Sequence, residues 1–582
     1  MELLEEARKK GLPLTIPQIV ERSARLYPDR PALTARERDG DRTITYGQLL
    51  DEVQDIARGL IALGLKKGDR VAILGPNSPE WAKVYLATGL AGCINVPIDS
   101  LLSENEKQQL IAKADVKVAF VAKRYLEILE DLPKGFPAPK DVVCLDREPG
   151  PLSEGVKTLE DLKALAKGAG KSEFPEAEKD DVAAIIFTSG TTGVPKGVML
   201  THWNIVSDCI ACSLAVDIGR ENFLSVLPMH HTFECTAGFL LPLFCGCHIT
   251  YARSLKSKYI MEDLRACKAT VMLGVPLLFQ KMKEGIERAI EKAPAHRKAM
   301  FKAMWKLVLA AERAGNPHLG KVLFRSLRKK AGLDTIRYFV SGGAALPPYV
   351  PLFFRRLGLD MIQGYGLTES SPVLTINPLN RPKNESVGPP MPGVEVKVAK
   401  PDKDGVGELA FRGPMIMKGY LNDPEATRQV IDDEGWLYTG DLGYVDSDGY
   451  VHICGRAKNL IVTSAGKNVY PEEIETLLNK SEIILESMVF GKQVESGGEE
   501  VCAVIVPDFD VIAQLKGQSA LDEEGLHSLI SKEVKKVNSM LASYKRIKSF
   551  YVINEELPKT STKKIKRHLF NLNILEKKPA KR

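Results

Sequence analysis

The sequence predicts an α/β protein: a large N-terminal domain of doubly wound parallel sheets with a small β subdomain, followed by a small α+β C-terminal domain. Three observations carry this. Through roughly the first four hundred residues, helical periodicity alternates with short, continuously apolar runs, the pattern of strands buried on both faces of a parallel sheet. From about residue 395 the texture changes to short strands and glycine turns. After residue 458 helices and strands return in a pattern that fits a separate domain of about 120 residues. The boundary therefore falls between 1–457 and 458–582.

The elements follow in order. Residues 46–65 read as an amphipathic helix, 70–74 as a buried strand, 81–92 as a helix and 116–121 as another strand. A further apolar strand, 182–186, runs into a glycine- and hydroxyl-rich loop. The β subdomain is expected from strands at 395–398, 407–411 and 450–453. The last domain should hold helices at 471–478 and 525–542 around strands at 486–490 and 501–507. Residues 281–328 are helical and rich in Lys and Arg. Phe301, Met304, Trp305, Val308 and Ala311 share one face there, with Lys302 and Lys306 away from it. That face is expected to pack on the main domain, with docking on a membrane surface as the alternative. The tail from 577 to 582 is expected to be disordered.

Composition narrows the function. At 582 residues, 44% apolar and 26% charged, the chain has the make-up of a globular enzyme of more than one core. A net charge of +6 does not point to nucleic acid. From Ser531 to Arg582, however, 15 Lys/Arg face 4 Asp/Glu, so the rest carries −5 (+6 less +11). Such a basic region suits an anionic partner: a phosphorylated cofactor, an acidic carrier protein or a membrane surface. The ten cysteines show no secreted framework. Cys209, Cys212, Cys235, Cys245 and Cys247, with His248 next to the last, lack zinc-site spacing, and the cysteines read as buried thiols in a reducing compartment. The acidic N-terminus has no signal-type core, and the longest apolar stretch, 237–247, is too short to span a membrane. A cytoplasmic protein is expected, with peripheral contact at the membrane's inner face compatible with it.

The chemistry is carried by five motifs. The loop 187–197 holds three glycines, the hydroxyls of Thr188, Ser189, Thr191 and Thr192, and Lys196. Glycines (Gly190, Gly193, Gly197) let backbone N–H groups converge, and hydroxyls and a lysine add donors, so the loop suits a polyphosphate. It is not a Walker loop, since no glycine precedes Lys196 and no Ser or Thr follows it. Gly364, Tyr365, Gly366, Thr368 and Glu369 place an aromatic ring, permissive backbone and a carboxylate together. Asp441 follows a Thr-Gly turn, Arg456 comes fifteen residues later with Lys458 two beyond it, and residues 558–567 form a cationic loop. Together these supply what MgATP needs: a ring for adenine, a carboxylate for the metal, an Asp for the ribose and cations for phosphate.

In this order and spacing, from about Ile16 to Leu569, the chain resembles the adenylate-forming superfamily of acyl- and aryl-CoA synthetases, luciferases and peptide-synthetase adenylation domains. The resemblance implies a hinge between the two domains at Lys458. It gives Thr188 and Glu369 as contacts to Mg2+ and phosphate, and Gly342, Gly343 and Ala344 as the segment lining adenine, with Tyr365 stacked on the base. Asp441 and Arg456 fall on the ribose, and Lys564 reaches the substrate carboxylate and α-phosphate. His231 falls near that carboxylate, with a packing role as its alternative. Gly466 belongs to a segment presented to the thiol tunnel. A lysine, Lys563, stands where the superfamily has a glycine before the catalytic lysine, and Asn459 replaces the more usual Asp after the hinge.

The implied reaction has two steps: attack of a carboxylate on the α-phosphorus of ATP, then transfer of the acyl group to a thiol with release of AMP. Acetate-activating relatives have a tryptophan at the position of Gly366, so a deep acyl pocket is expected, with His231, Phe233 and Gly238 around it. No Asp for a substrate amine follows the loop, which disfavours amino acids. The helical insertion and residues 466–471 resemble long-chain fatty acyl-CoA synthetases. The expectation is a medium- or long-chain fatty acid, with ATP, Mg2+ and CoA. Acyl carrier protein is the alternative acceptor, a non-catalytic nucleotide sensor is the alternative of another class, and a homodimer is compatible with either.

Overall fold

The computed structural model describes residues 2–37, 40–130, 132, 137–168, 173–188, 195–494, 498–516, 522–559 and 565–569. By its internal contacts the chain forms two compact units. One comprises Met1–Glu395 and Phe411–Leu437, the other Val396–Ala410 and Tyr438–Arg582.

The first unit is built on two eight-stranded sheets. One carries, in spatial order, Val373–Ile376, Asp360–Gly366, Tyr338–Ser341, Val271–Gly274, Asn222–Ser225, His248–Tyr251, Pro31–Glu37 and Gly40–Thr45. The six inner strands pair parallel and both edge strands antiparallel. The other sheet runs Gly419–Tyr420, Lys196–Thr201, Val182–Thr188, Ile94–Pro97, Arg70–Leu74, Val116–Val121, Asp141–Cys144 and Lys157–Thr158. The continuously apolar strands are buried on both faces, as their lack of alternation requires: Val71, Ala72, Ile73 and Leu74 are fully inaccessible.

Local signals place the helices. Tyr46–Ala62 starts at a capping box, with Thr45 accepting from the Gln48 N–H and Gln48 answering the Thr45 N–H. His202–Ala215 starts the same way at Thr201 and Asn204. The Asn204 amide also donates to the carbonyls of Pro414 and Ile416, at 2.7 and 2.8 Å, pinning a distant loop. The basic insertion forms the helices Pro276–Glu291, Ala295–Arg313, Leu319–Leu323 and Arg325–Ala331. Phe301, Met304, Trp305 and Val308 pack on the core cluster around Phe279, Phe324 and Phe353, so the face expected to bury is the face that does.

Residues 228–241 take a form that no simple periodicity announces. Phe233–Leu240 is a π-helix. Its turns present Phe239 to Trp81 and Tyr85, edge-on at 6.3 and 6.0 Å.

Most of a four-stranded sheet of Glu395–Ala399, Gly407–Arg412, Leu437–Val445 and Val451–Arg456 belongs to the second unit, only strand-end residues counting with the first. The second unit also holds a three-stranded sheet of Ile484–Gln493, Glu499–Pro507 and Ser549–Val552. The helices Pro471–Leu478 and Glu523–Met540 cover the latter through Ile474, Leu478, Ile530, Val534 and Val537.

No described helix is long and apolar enough to cross a membrane. The ten cysteines are free. Burial pushes the Cys235 thiol up to about 12 and that of Cys247 to about 11, as expected of packed thiols.

Candidate active site

In the first unit four polar residues gather at the ends of strands. Thr188 closes Val182–Thr188 and pairs in register with Lys196, which opens the antiparallel strand Lys196–Thr201. The short strand Gly419–Tyr420 adds to the other edge of that strand. Its Tyr420 hydroxyl donates to Glu369 Oε1 at 2.9 Å, and the Lys196 ammonium lies 4.9 Å from the Tyr420 ring centre. Glu369 itself sits in the single turn Thr368–Ser370, and its carbonyl accepts from the Met417 N–H at 2.8 Å. Burial, then the Glu369 charge, pushes the Tyr420 phenol far up, so it stays a donor. Nothing in the spacing of the sequence points to Tyr420, because its contact with Glu369 is made 51 residues away.

The donor set fits a hard divalent cation, since Thr188 offers a hydroxyl and Glu369 a carboxylate. Ser189, Gly190, Thr191, Thr192 and Gly193 lie outside the described residues, as do Lys563 and Lys564.

Gly342 is buried, and a Cβ there would meet the Phe233 ring at 3.0 Å. Gly343, at φ +82, and Ala344 are exposed. The Tyr365 ring stands 5.9 Å from Phe411. Ser341 Oγ and Gln363 Oε1 are buried without a hydrogen-bond partner among the described residues. Ser341 closes the strand Tyr338–Ser341 and Gln363 pairs with it from the neighbouring strand, towards the edge at which open α/β sheets take ligands.

From Gly364, next to Tyr365, a narrow apolar cavity of about 50 Å3 runs along the sheet. Phe233, Ala237, Leu241 and Cys212 are among its lining residues. The strands contribute alternate residues. Val271 and Leu273 face the cavity while Met272 packs in the opposite core, and Ile362 faces it while Met361 does not. Of the residues expected around the acyl group, Phe233 lines this space. Gly366 does not: a Cβ there would overlap the Pro372 carbonyl, so the missing side chain makes room for a neighbouring strand rather than for a ligand. Gly238 faces the carboxyl of Glu234 instead, which would lie 2.6 Å from a Cβ placed on the glycine.

His231 stands just before the π-helix, its ring centre 4.3 Å from that of His230. His230 Nε2 lies 3.1 Å from Asp99 Oδ1. The potential ligand atoms of Asp99, His230 and His231 all fall within 4.8 Å of one another. Sequence spacing signals neither Asp99 nor His230, since Asp99 comes from a distant loop that follows the strand Ile94–Pro97.

In the second unit the hairpin of Leu437–Val445 and Val451–Arg456 sets Asp441 opposite Arg456, with Nε to Oδ1 at 2.6 Å. Gly440, at φ +69, turns the chain before Asp441, and its N–H donates to Glu408 at 2.9 Å. Lys458 lies in the turn Ala457–Asn459, where desolvation and then the charges of Arg456 and Arg567 lower its pKa. Asn459 donates to Glu472 Oε1 at 2.8 Å, so the residue at this unusual position is held in the fold. Gly466 lies in an open loop at φ +67. Lys559 and Ile565, on either side of residues 560–564, form a β-bridge.

Comparison with known proteins gives the family. Residues 20–421 match the family model of AMP-binding enzymes, and residues 473–564 that of the AMP-binding enzyme C-terminal domain. A long-chain-fatty-acid–CoA ligase of Rattus norvegicus is 31% identical, over 82% of this chain and 75% of its own. A chloroplastic long-chain-fatty-acid–[acyl-carrier-protein] ligase of Arabidopsis thaliana is 28% identical, over 90% of this chain and 80% of its own. Among solved structures, ATP-bound MatB of Rhodopseudomonas palustris superposes with a TM-score of 0.73 at 28% identity, covering 94% of this chain and 98% of that one. ATP and Mg2+ are the cofactors of this chemistry, with CoA as the thiol in its CoA ligases. The chain belongs to the AMP-binding enzyme family and is an adenylate-forming, acyl-activating enzyme.

Proposed function

We propose that the protein activates a medium- or long-chain fatty acid with ATP and passes the acyl group to CoA, releasing pyrophosphate and AMP. The observation that carries this is the apolar cavity starting at Gly364, beside Tyr365. It offers a hydrocarbon chain a dry path and presents no charge to an amine.

In the first half-reaction the carboxylate oxygen attacks the α-phosphorus, and the bond to the bridging oxygen of pyrophosphate breaks. No general acid is required. Catalysis is positioning and charge stabilisation: Lys564 at the carboxylate and α-phosphate, the loop 188–197 on the leaving group, and His231 near the carboxylate. Thr188 and Glu369 would hold Mg2+, which when bound offsets charge on the departing pyrophosphate. Tyr365 orients adenine, and Asp441 and Arg456 the ribose. In the second half-reaction the C-terminal domain turns about Lys458, withdraws Lys564 and brings the segment at Gly466 to the thiol. The thiol sulfur then attacks the acyl carbonyl, its proton is lost, and AMP leaves.

A carrier-protein acceptor is the second reading, favoured by the basic region from Ser531 onwards and by the plant relative. Fatty-acid-dependent release of pyrophosphate from ATP tests the first step. Its absence with every fatty acid would remove the fatty-acid reading, and a non-catalytic nucleotide sensor would be the alternative to test next. Comparing thioester yield on CoA and on purified carrier protein then decides the acceptor.

A further inference from the structure

The apolar cavity has a floor, and the strand register fixes how far down it lies. Phe223, Val271 and Tyr338 are directly paired across three parallel strands and make the row nearest the strands' amino ends. Leu273, Val340 and Ile362 make the next row towards the carboxyl ends. Gly364, level with Gly342, completes the wall beside Tyr365. Four residues separate Tyr338 from that level, which at ~3.3 Å per residue is about 13 Å, the length of about ten extended methylenes.

Three features make the floor a stop rather than an opening. Tyr338 is 2% exposed and Phe223 3%, so their rings close the end. Behind Tyr338, Arg337 bonds Asp217 at 2.7 Å and also Glu221. These ion pairs tie the stretch carrying the cavity residues Val216 and Ile218 to the start of the Tyr338 strand. The Tyr338 hydroxyl, moreover, is buried with no hydrogen-bond partner among the described residues. An unpaired buried hydroxyl is a cost to the fold, so its place at the end of the cavity has no explanation in core packing alone.

We propose that Tyr338 sets the chain length of the acyl substrate: the distal methyl rests on its ring, and longer chains are rejected there. The inference depends on the fatty-acid reading above and adds to it the residue that limits the chain. Because a methylene beyond a rigid wall costs about tenfold or more, selectivity should fall steeply past the limit.

The test is the profile of kcat/KM over saturated acids from butanoate to octadecanoate, read as fatty-acid-dependent pyrophosphate release. The wild type should peak near dodecanoate. Tyr338→Ala should move the peak to acids longer by about four carbons, the reach of the ring beyond Cβ, with the KM for ATP unchanged. Val340→Phe, which fills the row above, should move it to shorter acids and carries the test if Tyr338→Ala does not fold. An active Tyr338→Ala, or an active Val340→Phe, with the wild-type profile overturns the assignment of Tyr338 and leaves the fatty-acid reading standing. A wild type that responds to no fatty acid at all removes that reading first, and this inference with it.

Discussion

Glu234 is a carboxyl with no access to water, one oxygen accepting from Ser225 Oγ and the other unpaired among the described residues. Burial pushes its pKa up to about 8 against an ordinary 4.5, and the Ser225 hydrogen bond offsets only part of that rise. Between those two values the folded protein keeps a proton that the unfolded chain has lost. The stabilising contribution is therefore complete below about pH 4.5 and declines as pH rises through about 8, by at most about 1.4 kcal/mol per pH unit. Asp208, fully buried and also raised by desolvation, acts with the same sign. Glu234→Gln keeps an acceptor for Ser225 and cannot ionise. Urea midpoints measured from about pH 5 to about pH 9 should fall less steeply for this variant than for the wild type. Identical slopes would mean that Glu234 is not the titrating group.

Among the elements, the π-helix Phe233–Leu240 lends Phe233 and Ala237 to the apolar cavity, and two glycines, Gly238 within it and Gly366 at the end of the strand Asp360–Gly366, differ in what their missing side chains spare. At Gly238 an added methyl would meet the carboxyl of Glu234, the end of a side chain that can shift. At Gly366 it would overlap the Pro372 carbonyl, where only backbone could yield. Gly238→Ala should therefore cost about 1–3 kcal/mol, and pairing it with Glu234→Ala should recover part of that loss. Gly366→Ala should be far more damaging, visible as loss of soluble folded protein. Equal melting temperatures for the two single variants would contradict this ordering. The same elements show what can be read in advance. Strands such as Arg70–Leu74 and Val116–Val121, and the helix Pro471–Leu478, are legible because local periodicity and flanking turns decide them. The π-helix is not, since its residues form no helical or strand repeat and its shape answers to Trp81, Tyr85 and the cavity. The glycine at position 366 stands out in the sequence, but its reason lies in a strand pairing that spacing alone does not show.

At the scale of the whole molecule, the residues of the proposed reaction come from both compact units: Thr188, Glu369 and the cavity from one, Asp441, Arg456 and the segment flanked by Lys559 and Ile565 from the other. Motif order along the chain makes these residues legible one by one. Tyr420, Asp99 and Tyr338 escape because each reaches its place through a long-range contact rather than a local pattern. Residues drawn in this way from two units predict separable half-reactions. If Lys564 serves only the attack on the α-phosphorus and is withdrawn before the thiol arrives, then Lys564→Ala should lower adenylation by about a hundredfold or more, the usual scale for losing a preorganised charge. The same variant, given synthetic acyl-adenylate and CoA, should form thioester at nearly the wild-type rate. Lys563→Ala in parallel separates the two adjacent lysines, since only the one that enters the site should show this split. Equal loss of both half-reactions in Lys564→Ala would mean that the lysine stays at the reacting carbon throughout, and the turn about Lys458 would have to be given up.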